Sequence, residues 1–292
     1  MILFKKTDAL YKYLARKRHQ QQQIGFVPTM GALHEGHLSL LHHSNGSNGC
    51  TVCSIFVNPT QFNDPADFNK YPVTLEKDIS LLEQHSTDVL FLPDVSEIYP
   101  EGTSHLPHYD LGEIEHKLEG FYRPGHFQGV CQVMHRLLKS VEPDNLYMGQ
   151  KDYQQCMVIK KLQGLIHSDA VLHACATLRE PDGLALSSRN LRLDKADRAK
   201  APAISQALLL IKKELRPGPV QPLVAAAKQL LKQHDFNIDY VTIADAATLD
   251  EINQWDGKQP VVALIAAYIN RVRLIDNRLL TTGSQQAEAA AC

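Results

Sequence analysis

Short apolar runs alternate with amphipathic segments along the chain up to residue 179. The apolar runs have the length of buried strands: IGFVPT, TVCSIFVN, DVLFLPD, NLYMG and AVLHACATL. The segments between them follow helical spacing, most clearly in the stripe formed by Val130, Val133, Met134, Leu137, Leu138 and Val141. This alternation predicts an α/β domain whose parallel sheet is covered on both faces, with ligands at the carboxyl ends of the strands.

The pattern changes after the stretch REPDGLALSSRN. The residues that follow are rich in Ala, Leu and Lys and predict two long helices, near residues 194–215 and 219–234. Two predicted strands come next, IDYVTIAD and PVVALIAAYI. We therefore expect a first domain at residues 1–179 and a smaller α+β domain at 180–280. Residues 281–292 lack apolar periodicity, and we expect a flexible tail there.

Composition narrows the class of protein. The 30 Lys and Arg residues nearly balance the 32 Asp and Glu residues, so the chain has no broad attraction for nucleic acid or anionic membranes. The N-terminal apolar run is too short for a signal peptide, and no run reaches the roughly 18 residues of a membrane span. Cys50 and Cys53 lie three apart in a predicted strand, so they point to opposite faces and are expected to be reduced core thiols. These features predict a cytoplasmic protein.

The stretch PTMGALHEGH, residues 28–37, joins the first of these strands to a helix. A glycine-containing turn and a helix N-terminus at a strand's carboxyl end favour an anion, and phosphate is the obvious candidate. His34 and His37 can add donors to charge that develops during displacement. A zinc site is disfavoured because the spacing is His-Glu-Gly-His rather than His-Glu-x-x-His. Solvated histidines at an ordinary helix start are the remaining alternative.

The His-x-Gly-His pattern resembles the signature of nucleotidylyltransferases and class I aminoacyl-tRNA synthetases. The longer string PTMGALHEGH resembles the pantothenate synthetase family more specifically, and the likeness continues through SIFVNPTQF, EGFYRPGHFQGV, YMGQKDYQQ, DGLALSSRN and RLIDN. The resemblance implies a Rossmann-like N-terminal domain, a smaller C-terminal domain over the active site, and a homodimer. It also implies that pantoate, ATP and Mg²⁺ give a pantoyl adenylate and pyrophosphate, after which β-alanine displaces AMP to form pantothenate.

The resemblance assigns catalysis to His37, His34 and Lys151. It implies an ATP-binding set consisting of Met30, Gly31, His34, His37, Gly149, Lys151, Asp152, Leu178, Leu186, Ser187, Ser188 and Arg189. The run from Ser187 to Arg189 is then a second clamp on the triphosphate, although it is a weak signal on its own. Where the family commonly has Met, this chain has Leu186, an apolar change of little consequence. Where the family has Glu, it has Gln150, which loses a charge.

For pantoate and β-alanine the resemblance implies contacts from Gln61, Gln155, Asn58, Arg123 and His126. Uncharged amides suit a small hydroxy acid, because they bind its carboxylate by hydrogen bonds alone. An ion pair would make the carboxylate less nucleophilic towards phosphorus. Arg123 and His126 are expected mainly to support the pocket, and Arg123 could alternatively pair with Glu119. Asp78 is a candidate magnesium ligand, although a solvated helix face is the more ordinary use of such a residue.

Two other functions remain open from the sequence. Another nucleotidylyltransferase would share the histidine signature, whereas a tRNA-charging enzyme is disfavoured by the near-neutral charge and the lack of a basic RNA-binding segment. A regulatory ATP-binding module without catalysis is the alternative from a different class. Retention of His34, His37, Lys151 and Arg189 argues against it.

Overall fold

A computed structural model describes residues 1–63 and 68–281 and divides the chain into two units. Within the described residues, the first consists of Met1–Gly149 and Gln154–Cys175, and the second consists of Gln150–Tyr153 and residues 176–281. The second unit thus begins four residues before the predicted boundary at 180, and it includes a short segment that we expected in the first. Of the predicted tail, only Thr281 lies within the described residues.

The first unit is built on a parallel sheet. Its strands are β1 (Ile2–Phe4), β2 (Ile24–Thr29), β3 (Cys50–Ile55), β4 (Val89–Phe91), β5 (Asn145–Gly149) and β6 (Val171–Cys175). In the described residues the order is β1-β4-β3-β2-β5-β6 with every pair parallel. The order reverses between β2 and β5, and ligands of open α/β sheets bind at the carboxyl ends beside such a reversal. The predicted α/β class is confirmed, while β1 was not foreseen.

Helices cover both faces of this sheet. They are α1 (Thr7–His19), α2 (Glu35–Ser47), α3 (Leu75–Gln84), α4 (Val95–Ile98), α5 (Leu118–Tyr122), α6 (His126–Val141) and α7 (Tyr153–Leu165). Residues of α1 and α6 pack in one core cluster with Cys50, and residues of α2 and α3 pack in another with Cys53. The two thiols are buried, unlinked and on opposite faces, as predicted. No helix within the described residues is both long and apolar enough to cross a membrane.

The second unit packs helices on an antiparallel sheet of order β11-β10-β8. Its elements are α8 (Lys195–Lys200), α9 (Ala203–Glu214), β7 (Gly218–Pro219), α10 (Gln221–Gln233), β8 (Phe236–Asp245), β9 (Gln254–Trp255), β10 (Val261–Ile269) and β11 (Val272–Leu279). The predicted helix at 194–215 is interrupted before Ala203, because Pro202 has no N–H for helical bonding. The predicted α+β character is confirmed.

Candidate active site

The turn after β2 is shaped by backbone conformations that few residues adopt. Gly31 has φ +81° and Ala32 has φ +50°, both in the left-handed region. The Gly31 N–H donates to Thr29 Oγ1 at 3.2 Å, and the Thr29 hydroxyl donates to the carbonyl of Ser54 at 2.7 Å. A Cβ at Gly31 would also lie 3.1 Å from Asp78 Oδ2. The turn therefore requires glycine for its φ and for the close approach of a carboxylate.

That carboxylate belongs to Asp78 in α3. The N–H groups of Ala32 and Leu33 donate to its two oxygens at 2.9 and 2.8 Å, and the Thr74 hydroxyl donates to Oδ1 at 3.1 Å. Asp78 is 1% exposed, so the expected solvated helix face is wrong. The sequence could not reveal this role, because the donors lie some 45 residues before the acceptor. Asp78 holds the turn that leads to the histidines, and this use also competes with the predicted use as a magnesium ligand.

His34 and His37 lie side by side at the start of α2. His34 is the N-cap residue, and its Nδ1 accepts the Gly36 N–H at 3.1 Å. In return, His37 Nδ1 accepts the His34 N–H at 3.4 Å, so the two imidazoles form a capping box. Their ring centroids are 4.1 Å apart, and both side chains are half-buried.

This capping fixes which ring nitrogen carries the proton. A nitrogen that accepts a hydrogen bond has no proton, so each neutral ring is protonated on Nε2. Both histidines are then Nε2–H donors, at the positive end of the helix dipole. The same geometry disfavours a metal site, and the described residues contain no group of three or more His, Cys, Asp or Glu placed to hold a metal ion.

Gln61 ends a 3-10 turn, Pro59–Gln61, that follows β3. Its Nε2 contacts Met30 Sδ at 3.2 Å, which joins the turn after β3 to the turn after β2. Its Oε1 accepts from Asn58 Nδ2 at 3.1 Å. Asn58 is 1% exposed, and its amide also accepts from the Tyr99 hydroxyl at 2.7 Å and donates to the Gly129 carbonyl at 3.1 Å. The amide of Asn58 is thus hydrogen-bonded within the protein, and one of its bonds holds the side chain of Gln61.

Helix α6 braces this turn from the other side. His126 Nδ1 lies 2.8 Å from the Gln61 carbonyl, and His126 Nε2 lies 3.1 Å from Arg123 Nη1. A carbonyl only accepts and a guanidinium only donates, so His126 is neutral with its proton on Nδ1. Arg123 also lies 3.9 Å from Glu119 in a buried ion pair. Arg123 and His126 thus brace the backbone of Gln61, and their role in the substrate pocket stays a prediction.

Gly129 permits the contact between α6 and the turn. A Cβ at this position would lie 2.1 Å from the Thr60 carbonyl oxygen and 2.6 Å from the Gln61 Cα. Sequence reasoning did not single out Gly129 as a functional residue. The available signal was a glycine in the middle of a strongly amphipathic helix, where glycine is unfavourable unless packing requires it.

In the second unit, Lys151 and Asp152 lie in a 3-10 turn, Gln150–Asp152, directly after β5. Lys151 Nζ is 3.5 Å from Asp152 Oδ1, and the lysine side chain is 16% exposed. Gly149, the last residue of β5, has no atom within 4 Å of the position a Cβ would take, so space is open beside its backbone. In the first unit, Gln155 is the third residue of α7 and is half-buried, next to the buried Gln154.

The run from Ser187 to Arg189 follows a short hairpin. The Leu186 N–H donates to the Leu178 carbonyl at 3.0 Å, and Ser187 Oγ accepts the Arg189 N–H at 3.3 Å to cap the 3-10 segment Ser188–Arg192. Arg179 ties this hairpin to β11 through two bonds to Asp276, of 2.6 and 3.0 Å. The sequence predicted the loop but not this ion pair. The run from Ser187 to Arg189 therefore follows a hairpin that hydrogen bonds hold in place, and it presents two hydroxyls and a guanidinium close together in the chain.

The family model for pantoate-beta-alanine ligase matches residues 2–279. The pantothenate synthetase of Cytophaga hutchinsonii is 42% identical over 283 residues, 96% of this chain and 99% of the relative, and that of Magnetococcus marinus is 45% identical over 268 residues, 91% and 92%.

Solved structures give the same result. The crystal structure of pantothenate synthetase from Thermus thermophilus has a TM-score of 0.88 at 36% identity and covers 97% of this chain and 100% of its own. Pantoate-beta-alanine ligase from Francisella tularensis, complexed with beta-gamma ATP and beta-alanine, has a TM-score of 0.81 at 37% identity and covers 97% and 99%.

Proposed function

The chain belongs to the pantoate-beta-alanine ligase family, and on that premise we propose that it uses ATP to condense pantoate with β-alanine. In the first step a carboxylate oxygen of pantoate bonds to the α-phosphorus, and the bond to pyrophosphate breaks. In the second step the amine of β-alanine bonds to the acyl carbon, the bond to AMP breaks, and the amine loses a proton. The product is the amide pantothenate.

The paired histidines are the observation that carries this proposal. Capping leaves both His34 and His37 protonated on Nε2, so the two rings present N–H donors at a helix N-terminus. Such donors stabilise the negative charge that grows on phosphate oxygens as pyrophosphate departs. Neither histidine exchanges a covalent bond with the substrate, so their contribution is charge stabilisation and orientation.

Four further residues are proposed as phosphate ligands. Lys151, Ser187, Ser188 and Arg189 bind phosphate oxygens with an ammonium, two hydroxyls and a guanidinium, a donor set suited to a triphosphate. The nucleoside is bound by Met30, Gly31, Gly149, Asp152, Leu178 and Leu186. The open space beside the Gly149 backbone supports close approach of a ligand there.

Pantoate is bound by Gln61 and Gln155. Gln61 lies in contact with the turn that bears the histidines, through Met30, and its amide is held by Asn58. Asn58, Arg123 and His126 serve the pantoate and β-alanine sites by fixing Gln61. An uncharged amide leaves the substrate carboxylate nucleophilic.

Magnesium enters this proposal with the nucleotide. Mg²⁺ usually keeps several waters and takes phosphates with one or two carboxylates, a mode that needs no cluster of protein ligands. That mode fits the described residues, which hold no such cluster. Asp78, the carboxylate predicted for this role, is buried and already accepts hydrogen bonds from Ala32 and Leu33, so the triphosphate and water would supply most ligands of Mg²⁺. When bound, Mg²⁺ would neutralise part of the triphosphate charge.

The protein is further proposed to act as a homodimer in the cytoplasm. No disulfide joins the five cysteines within the described residues, as suits a reducing compartment. Sedimentation equilibrium of the purified protein tests the dimer, and a single species with the mass of one 32.7 kDa chain would refute it.

The deciding experiment follows pyrophosphate release. Protein supplied with ATP, magnesium and pantoate should release about one equivalent per active site and then slow, because the closed site protects the adenylate from water. Addition of β-alanine should release AMP and restore turnover. Alanine, whose amine is one carbon nearer the carboxylate, should do so poorly.

Other outcomes identify the alternatives. A regulatory ATP-binding module would release no pyrophosphate, and another nucleotidylyltransferase would not require pantoate. Formation of ADP and phosphate would indicate γ-phosphoryl transfer and would overturn the adenylate mechanism.

A further inference from the structure

The turn that carries Lys151 is held by a side chain distant in the sequence. Asn277, near the end of β11, donates through Nδ2 to the carbonyls of Gln150 at 2.9 Å and Lys151 at 2.8 Å. Its Oδ1 lies 3.4 Å from Gln150 Nε2. One amide thus satisfies two consecutive backbone carbonyls across a separation of 126 residues.

Neighbouring contacts fix both the amide and the turn. Asn277 is 3% exposed, and its own N–H donates to Asp276 Oδ1 at 2.8 Å. Asp276 is in turn held by the two bonds from Arg179. At the other end of the turn, the Tyr153 hydroxyl donates to the Ala246 carbonyl at 2.7 Å. These contacts explain why Gln150–Tyr153 clusters with the second unit although β5 and most of α7 belong to the first.

The chemistry of the contact requires an amide. Two carbonyl oxygens need two donors from one side chain, and the NH₂ group of Asn supplies both. A carboxylate of the same shape would supply none and would face two carbonyl oxygens with negative charge. Both bonds are partly buried, so a carbonyl that loses its donor recovers only part of that hydrogen bonding from water.

We propose that Asn277 is a positioning residue for Lys151 in the adenylation step, an inference that rests on the proposed role of Lys151 as a phosphate ligand. Asn277 sets the path of the backbone on which the lysine stands, and so sets where the ammonium meets the triphosphate. It touches no substrate itself. Its effect is therefore confined to the step in which pyrophosphate leaves.

Asn277→Asp tests this, since it removes the donors with little change in volume. Pyrophosphate release from ATP and pantoate should slow by about 10-fold, as for the loss of two partly buried hydrogen bonds. AMP release from preformed pantoyl adenylate and β-alanine should change by less than about 2-fold, because pyrophosphate has already gone. Asn277→Ser keeps one donor, so its rate of pyrophosphate release should lie between those of the original protein and Asn277→Asp. It replaces Asn277→Asp in the test if that variant does not fold.

Two comparisons separate positioning from a general loss of structure. Val272→Ala truncates a buried side chain on the same strand, and it should leave the ratio of the two half-reaction rates unchanged. In a Lys151→Ala background, Asn277→Asp should lower pyrophosphate release no further, because the group it positions is absent.

Equal slowing of both half-reactions, or an undiminished effect of Asn277→Asp in the Lys151→Ala background, would overturn the inference and leave the proposed function intact. Normal pyrophosphate release by Lys151→Ala alone would overturn the role of Lys151 and with it that of Asn277.

Discussion

Replacement of Gly129 by Ala tests whether helix α6 sets the position of Gln61. The added Cβ would lie 2.1 Å from the Thr60 carbonyl oxygen, 2.5 Å from the Thr60 carbonyl carbon and 2.6 Å from the Gln61 Cα. All three neighbours are backbone atoms, which cannot swing aside as a long side chain can. Since van der Waals contact for such atoms begins near ~3.5 Å, the helix and the turn must separate by about 1 Å.

Two opposing contributions set the stability of Gly129→Ala. Helix propensity alone favours Ala over Gly by about 1 kcal/mol. Overpacking a close contact costs about 1–3 kcal/mol, so the variant should be destabilised by up to about 2 kcal/mol. A displacement of about 1 Å at a substrate-positioning group can cost about 100-fold in rate, so activity should fall much further than stability.

Gly164→Ala is the matched control. Gly164 also lies in a helix of the first unit, but a Cβ there meets nothing within 4 Å. This variant should be as stable as the original protein or slightly more so, with unchanged activity. Thermal unfolding followed by circular dichroism gives the stabilities, and pyrophosphate release at varied pantoate concentration gives the rates. If Gly129→Ala matched Gly164→Ala in both measurements, the bracing of Gln61 by α6 would be refuted.

The remaining predictions concern the histidines, the turn and the thiols. His37→Ala should slow pyrophosphate release by about 100-fold while pantoate still binds, as for loss of a transition-state donor, and a near-normal rate would remove His37 from the mechanism. Asp78→Asn places a donor against a backbone N–H, so the free energy of unfolding measured in urea should fall by about 2–3 kcal/mol. Glu83→Gln, on the exposed side of the same helix, should leave that free energy almost unchanged. Burial raises the pKa of Cys53 from its ordinary value of 9.0 to about 12. Because the unfolded thiol ionises first, the free energy of unfolding should fall as pH rises from about 9 towards 12, and Cys53→Ala should lessen that slope.

The α/β fold of the first unit could be predicted because its signals are local. A buried strand needs an apolar run and a packed helix needs an apolar stripe, and both are visible within a window of a dozen residues. In both units, exceptions arose where the local signal was short or ambiguous. Strand β1 spans only Ile2–Phe4, and the predicted helix at 194–215 is interrupted near Pro202.

In the candidate site too, features with a local sequence signal were predicted and features that depend on distant contacts were not. His34 and His37 were found because the chain itself brings them together at a turn and a helix start, and their capping involves residues at most three apart. The division of the chain between residues 149 and 153 could not be predicted, since it depends on contacts that β11 and Ala246 make with that segment.

By itself the sequence determined which donors lie together in one loop and so predicted which loops carry the chemistry, because motifs such as PTMGALHEGH and LSSRN keep their donors adjacent along the chain. Only the tertiary structure decided what holds those donors in place. Asp78 binds the turn before the histidines, Gly129 admits α6 to Gln61 across about 70 residues, and Asn277 binds the Lys151 turn across 126. Such contacts follow from how whole helices and strands pack, and packing brings together residues whose separation in sequence carries no local pattern.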